Sequence, residues 1–232
     1  MIPTTISLIP IKTKRRSGIK NNGIKFIVAH DTGNPNTTAK NNVNYFRNSA
    51  NDMSASAHYF VDDIDVIICI PEDEKAWHVW YSVDTDNKLY NADANDSSIG
   101  VELCYFPNNR ARTQKAYDNY VVLIKELFRK YKTTNISGHF QLDPTRKVDP
   151  MNAFKIIGKT WDMFIKDLSI TPTTLPITPP TTEVFTYKFG DRGDKVKTLQ
   201  LMLSYHGFLG QIDGIYGNET DKAFKLFIAK YK

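Results

Sequence analysis

Two histidines and one aspartate in this chain are residue types that together could bind a metal ion. His30 ends the apolar run 24–29 and is followed by a turn at 31–33. His139 follows the longest predicted helix, and Asp149 comes ten residues later. Two imidazoles and a carboxylate suit zinc, with a fourth position left for water. The spacing alone leaves this assignment open, because no HExxH or CxxC motif fixes the set.

Glu102 is a further candidate, because it occupies a strand position where an apolar residue is expected. Alternation along the predicted strand 99–104 places Gly100, Glu102 and Cys104 on one face. That face is either solvated or aims the carboxylate into a cleft, with Gly100 leaving room beside it. The aromatic run 77–81 is either core packing or a wall that stacks on a sugar or a peptide.

Alternating strand and helix patterns predict an α/β fold with a mixed central sheet flanked by helices. Short apolar runs predict the strands, and Thr37 or Thr38 is expected to cap a first helix. Apolar stripes at helical spacing predict the two longer helices. The predicted strands are 24–29, 58–61, 66–70 and 99–104, and the predicted longer helices are 113–131 and 152–168.

A segment rich in proline and threonine divides the chain. Residues 169–183 hold four prolines, which neither a helix nor a strand accommodates at this density. We therefore expect a first domain over 1–168, a linker over 169–183 and a second domain over 184–232. The second domain is predicted to be a small helical module, with one helix around Leu199 and another around Phe224.

Composition excludes several classes of protein. The chain has 232 residues, and its 30 Lys and Arg outweigh its 25 Asp and Glu, giving a net charge of +5. It contains no apolar run of the length of a membrane span, so no membrane insertion is expected. Two cysteines are too few for a disulfide scaffold. The basic excess favours an anionic partner without identifying it.

Six short blocks resemble, in order, the zinc-dependent N-acetylmuramoyl-L-alanine amidases of the type-2, peptidoglycan-recognition-protein-like family. The resemblance covers about residues 20–168. A C-terminal stretch, 189–200 with 213–220, resembles a small three-helix peptidoglycan-binding domain. Such a pairing is similar to bacteriophage endolysins and bacterial autolysins. The six blocks are IVAHDTG at 27–33, SAHYFV at 56–61, AWH at 76–78, SIGVEL at 98–103, GH at 138–139 and RKVDP at 146–150.

The resemblance implies a role for each matched residue. Zinc would be held by His30, His139 and Asp149, where some relatives have Cys at the third position. Glu102 would be the catalytic carboxylate, and Lys147 would stabilise the oxyanion. Trp77 and His78 are expected to bind substrate. His58 is not a ligand in the family pattern, and Ala57 stands where some relatives carry a catalytic tyrosine.

These features predict a hydrolase that cuts peptidoglycan between N-acetylmuramic acid and L-alanine. The expected partner is the bacterial cell wall, and a monomer is favoured. Without a recognisable secretory signal, an endolysin held in the host cytoplasm until release is expected. The alternatives are a non-catalytic peptidoglycan-recognition protein, and an autolysin or recycling amidase. A nucleic-acid partner, suggested by the basic run 12–20, is not expected, because no nucleic-acid motif accompanies it.

Overall fold

A computed structural model describes residues 4–169, 187–205, 208 and 212–231. Contacts within the chain divide it into two compact units, Met1–Thr171 and Pro172–Lys232. Most of the predicted linker, from residue 170 onward, lies outside the described residues. Within the described residues, no helix combines the length and the apolar character that crossing a bilayer requires.

The first unit contains six strands and seven helices among its described residues. Strands β1 to β6 span Thr4–Ile6, Phe26–Asp31, Tyr59–Val61, Val66–Ile68, Ser98–Leu103 and Ile136–Gly138. Helices α1 to α7 span Ala39–Asn48, Asp84–Tyr90, Ala94–Ser97, Arg110–Tyr131, His139–Leu142, Met151–Ile157 and Trp161–Leu168.

The six strands form one sheet in the order β1-β4-β3-β5-β2-β6. Strands β3 and β4 pair antiparallel, and every other neighbouring pair is parallel. The predicted mixed sheet is therefore confirmed. Because β2, β5 and β6 run in the same direction, their carboxyl ends meet at one edge, where α/β sheets place their ligands.

Helices cover both faces of this sheet. Ile99, Val101 and Leu103 pack in a core beneath α4, α6 and α7. Cys104 belongs to the core on the opposite face, so the predicted alternation along β5 is confirmed. Tyr120 of α4 donates its hydroxyl hydrogen toward the backbone oxygens of His30 in β2 and Val101 in β5. This contact anchors α4 behind the carboxyl edge of the sheet.

Several predicted boundaries need correction. The predicted helix 152–168 is two helices, because Gly158 adopts a φ of +74° and ends α6. Thr160 then caps α7 by accepting a hydrogen bond from the backbone N–H of Met163. Helix α4 begins earlier than predicted, at Arg110. Thr38 caps α1 as expected.

The second unit has two helices among its described residues, α8 at Asp194–Tyr205 and α9 at Asn218–Tyr231. The third helix expected from the resemblance is not found within the described part of this unit. Val196, Leu199, Leu203, Tyr216 and Ala223 form its small core.

A buried amide ties this second unit together. The side chain of Gln200 is almost fully buried. Its Nε2 donates toward Asp213, Thr220 and the backbone oxygen of Ile215, at 2.8 to 3.0 Å. Its Oε1 accepts from the N–H of Gly214 at 2.7 Å. One side chain thus holds the turn between the helices to both of them.

Candidate metal centre and hydrolytic site

The three residues proposed to bind zinc converge at the carboxyl edge of the sheet. His30 lies near the end of β2, and His139 directly follows β6. Asp149 Oδ2 lies 3.0 Å from Nδ1 of His30 and 3.0 Å from Nδ1 of His139. One donor atom from each residue lies within 4.8 Å of the others. These residues form a group that can hold a metal ion.

The loop that carries Asp149 is fastened to the strand that carries His30. Asp31 accepts hydrogen bonds from the backbone N–H groups of Asn152 and Ala153, at 3.0 and 3.3 Å. It thereby satisfies the first turn of α6. The N–H of Phe140 donates to the backbone oxygen of Asp149 at 3.2 Å. The loop that carries Asp149 is therefore positioned by contacts with both β2 and α5.

The electrostatics of the group favour a neutral His30 beside an ionised Asp149. Burial lowers the pKa of His30 to about 4, despite the opposing effect of Asp149. Burial alone would raise the pKa of Asp149, but the contact with His139 Nδ1 is the largest opposing effect and holds that pKa below its usual range. A neutral imidazole and an ionised carboxylate are the protonation states in which these two groups bind a divalent cation.

Glu102 faces the same cleft from the neighbouring strand. The parallel register of β2 and β5 places Glu102 opposite His30. Its Oε2 is buried and has no hydrogen-bond partner among the described residues. Burial, and then the charges of Asp149 and Asp31, raise the pKa of Glu102 well above its ordinary value. The carboxyl group is therefore set up to exchange a proton with something in the cleft.

The cleft itself has a volume of about 230 Å³. Lys147, for which the family resemblance implies an oxyanion role, lies along its wall. Its backbone N–H donates to the oxygen of Asp143 at 3.0 Å, which fixes the turn before Asp149. The lining residues from the predicted site are His30, Trp77, His78, Glu102, His139, Lys147 and Asp149.

The two residues expected to bind substrate differ in position. Trp77 is half-buried on the wall of the cleft, and its ring lies 5.9 Å from that of Tyr81. His78 is buried beneath His30, with His78 Nδ1 at 3.0 Å from His30 Nε2. Burial, together with the neighbouring histidines, lowers the pKa of His78 well below its ordinary value.

His58 lies outside the metal group. Its Nδ1 accepts from the N–H of Gly100, and its Nε2 lies 3.0 Å from the backbone oxygen of Glu74.

The sequence patterns did not identify Asp31 as the residue that fastens the loop before α6 to β2. The available signal was an acidic residue directly after His30 at a strand end.

Comparisons with known proteins agree with this geometry. The N-acetylmuramoyl-L-alanine amidase family matches residues 20–152, and a putative peptidoglycan-binding domain family matches residues 192–227. The N-acetylmuramoyl-L-alanine amidase CwlL of Bacillus licheniformis is 29% identical over 245 residues. That alignment covers 99% of this chain and 67% of CwlL, so the chain spans about two thirds of that relative's length.

Solved structures show the same fold. The catalytic domain of XlyA superimposes with a TM-score of 0.58 at 25% identity, covering 72% of this chain and 99% of that domain. PlyL superimposes with a TM-score of 0.56 at 27% identity, covering 72% of this chain and 96% of PlyL. With the family match extending over more than half of its length, the chain belongs to the N-acetylmuramoyl-L-alanine amidase family.

Proposed function

We propose that this protein is a zinc-dependent peptidoglycan hydrolase of the endolysin type. It cleaves the amide that joins the lactyl group of N-acetylmuramic acid to L-alanine. The observation that carries this proposal is the convergence of His30, His139 and Asp149 within 4.8 Å, with the buried carboxyl of Glu102 beside them.

The donor set fits zinc. Two imidazole nitrogens and one carboxylate oxygen would supply the ligand types and the number of protein ligands found in catalytic zinc sites. The side chain of His139 has a buried Nε2 with no hydrogen-bond partner among the described residues. Nδ1 of His30 and Nδ1 of His139 each lie 3.0 Å from the same oxygen of Asp149, and a cation bound among these atoms would offset the charge of the carboxylate.

Zinc bound there would lower the pKa of a coordinated water toward about 7 and polarise the scissile carbonyl. Glu102 accepts the proton of the attacking water as the oxygen–carbon bond forms. The same carboxyl then returns the proton to the alanine nitrogen as the carbon–nitrogen bond breaks. Burial raises the pKa of Glu102, which makes its carboxylate a stronger proton acceptor than an exposed glutamate.

Two further residues complete the reaction. Lys147 lies along the wall of the cleft and supplies positive charge for the oxyanion of the tetrahedral intermediate. Trp77 offers a half-buried aromatic face on which a sugar or peptide packs. The second unit keeps the catalytic unit near an insoluble wall, which raises the effective concentration of substrate.

The test is digestion of defined peptidoglycan by the full chain, with mass spectrometry of the products. Free lactyl groups on intact glycan strands, with new N-terminal alanines on the released peptides, are expected. Cut glycan or cut cross-bridges would contradict the assignment of the bond. The matched control is Glu102→Gln, which keeps the shape of the side chain and is expected to bind zinc while losing turnover by about 10²–10⁴-fold.

The same experiment separates an enzyme from a non-catalytic recognition protein. A recognition protein would bind cell walls without releasing any peptide that carries a new N-terminal alanine. Equal turnover by Glu102→Gln and the wild type would remove Glu102 as the proton-transfer group.

A further inference from the structure

A line of three hydrogen bonds runs from the metal group into the interior of the protein. His30 Nε2 lies 3.0 Å from His78 Nδ1. His78 Nε2 lies 3.3 Å from the hydroxyl oxygen of Ser98. Ser98 donates its hydroxyl hydrogen to the backbone oxygen of Ala94 at 2.6 Å. All four residues are buried.

The hydrogen bond from Ser98 to Ala94 determines which atom donates in each of the other two hydrogen bonds. A carbonyl oxygen only accepts, so the single hydroxyl hydrogen of Ser98 is committed to Ala94. Ser98 must then accept from His78, which places the imidazole hydrogen of His78 on Nε2. A neutral imidazole with its hydrogen on Nε2 has a lone pair on Nδ1, so His78 accepts from His30.

The consequence appears at the other nitrogen of His30. With its hydrogen on Nε2, a neutral His30 presents the lone pair of Nδ1 toward Asp149 Oδ2, 3.0 Å away. Two acceptors at that distance repel each other unless a cation lies between or beside them. This arrangement is the one in which His30 binds a metal through Nδ1.

We propose that His78 is a positioning residue that holds His30 in the tautomer and orientation required for metal binding, with Ser98 fixing the tautomer of His78. The inference rests on the proposed metal centre and adds to it. It replaces the substrate-binding role expected for His78, because both ring nitrogens of His78 are engaged by protein groups.

The ring of His78 has little freedom to leave this position. A Cβ atom added at Gly100 would lie 2.7 Å from its Cγ, so β5 approaches the ring as closely as a glycine allows. Asn95 Oδ1 accepts from the N–H groups of His78 and Val79, at 2.8 and 3.0 Å. Asn95 Nδ2 donates to the oxygen of Val79 at 2.6 Å. Ligand-orienting partners of this kind change metal affinity by about 10–100-fold when removed.

The direct test is the tautomer of each ring, read from two-dimensional ¹⁵N NMR of histidine-labelled full-length protein. His78 is expected to carry its hydrogen on Nε2 both in metal-free protein and after addition of zinc. His30 is expected to carry its hydrogen on Nε2 in the zinc-loaded form. A hydrogen on Nδ1 of His78 would overturn the proposal, and this measurement needs no variant.

Zinc affinity provides the second test, measured by competition with a chelator of known affinity. His78→Leu removes the acceptor and is expected to weaken zinc binding by about 10–100-fold. His78→Asn keeps an acceptor oxygen near the position of Nδ1 and is expected to restore affinity to within a few-fold of the wild type. Ser98→Ala removes only the group that fixes the tautomer and is expected to fall between them.

Failure of the metal centre and failure of this inference give different results. Wild-type protein that binds no zinc would remove the metal centre itself. Wild-type protein that binds zinc, with a folded His78→Leu variant that binds it equally well, would overturn the positioning role alone.

Discussion

Gly100 packs directly against the ring of His78, and Gly100→Ala tests that close approach. The added Cβ would lie 2.7 Å from Cγ and 2.8 Å from Nδ1 of His78. Non-bonded carbons normally lie about 3.5–4.0 Å apart, so the ring must move by roughly 0.8 Å or more. His78 is buried and hydrogen-bonded to His30, Ser98 and Asn95, so moving its ring weakens these hydrogen bonds.

The expected cost follows from that displacement. Overpacking of a buried site typically costs about 1–3 kcal/mol. For a chain of this size, each kcal/mol lowers Tm by about 2–4 °C, so a fall near 5 °C is expected. The same displacement lengthens the contact between His78 Nδ1 and His30 Nε2, which stands at 3.0 Å. Zinc affinity should therefore fall by about 10-fold or more.

The assay is thermal unfolding with and without excess chelator, followed by zinc titration. Gly23→Ala is the matched control, because Gly23 has a φ of +88° and an added Cβ would meet nothing within 4 Å. That control costs roughly 1–2 kcal/mol through backbone strain and leaves zinc affinity unchanged. Gly100→Ala with wild-type Tm and wild-type zinc affinity would refute the reasoning.

Three further predictions concern other parts of the chain. Lys147→Met should lower kcat on a soluble muropeptide by about 10²-fold while leaving zinc binding intact, as measured by steady-state kinetics and metal analysis. The buried His58 has its pKa lowered to about 4 from 6.5, so its contribution to stability is complete above pH 6.5 and is lost as pH falls toward 4. In urea unfolding of chelator-treated protein, the wild type should lose roughly 3 kcal/mol more stability over this pH range than His58→Asn, because the lowered pKa values of His30 and His78 remain in both proteins. Gln200→Leu removes four hydrogen bonds from the small second unit, and should abolish retention on purified cell walls while soluble muropeptides are still cut.

Each of these has a result that would contradict it. Unchanged kcat in Lys147→Met would remove the lysine from the oxyanion site. A pH profile that is the same in His58→Asn and the wild type would show that another group titrates. Wall retention by Gln200→Leu at the wild-type level would show that the second unit either tolerates the change or does not bind the wall.

The strands that position the site were predictable because their periodicity is local. His30 and Glu102 each stand in a short apolar run, and parallel strands bring their ends together. The break at Gly158 was missed because the apolar stripe continues in phase on both sides of it. Asp149 lies in a loop without periodicity, so residue type alone left its assignment open, and the resemblance to a family made it specific.

The supporting contacts were beyond the reach of sequence patterns for a different reason. His78 and His30 are 48 residues apart in the chain and belong to elements with no shared period. The role of Ser98 depends on which atom receives its one hydrogen, and that is decided by the backbone oxygen of Ala94. Such a choice is fixed by three-dimensional geometry rather than by residue type.

The pairing of His30 with Glu102 across β2 and β5 bears on how this site could diversify. The register of β2 and β5 sets the distance between the backbone positions of the proposed ligand His30 and the proposed base Glu102. Any sequence that forms these two paired strands keeps that distance. The loop carrying Trp77 lies outside that pairing, on the wall of the cleft. Libraries that vary Trp77 and keep the neighbouring His78 should therefore change which wall fragments are accepted while His30 and Glu102 stay in place. The fold thus separates what can be re-engineered from what must be kept.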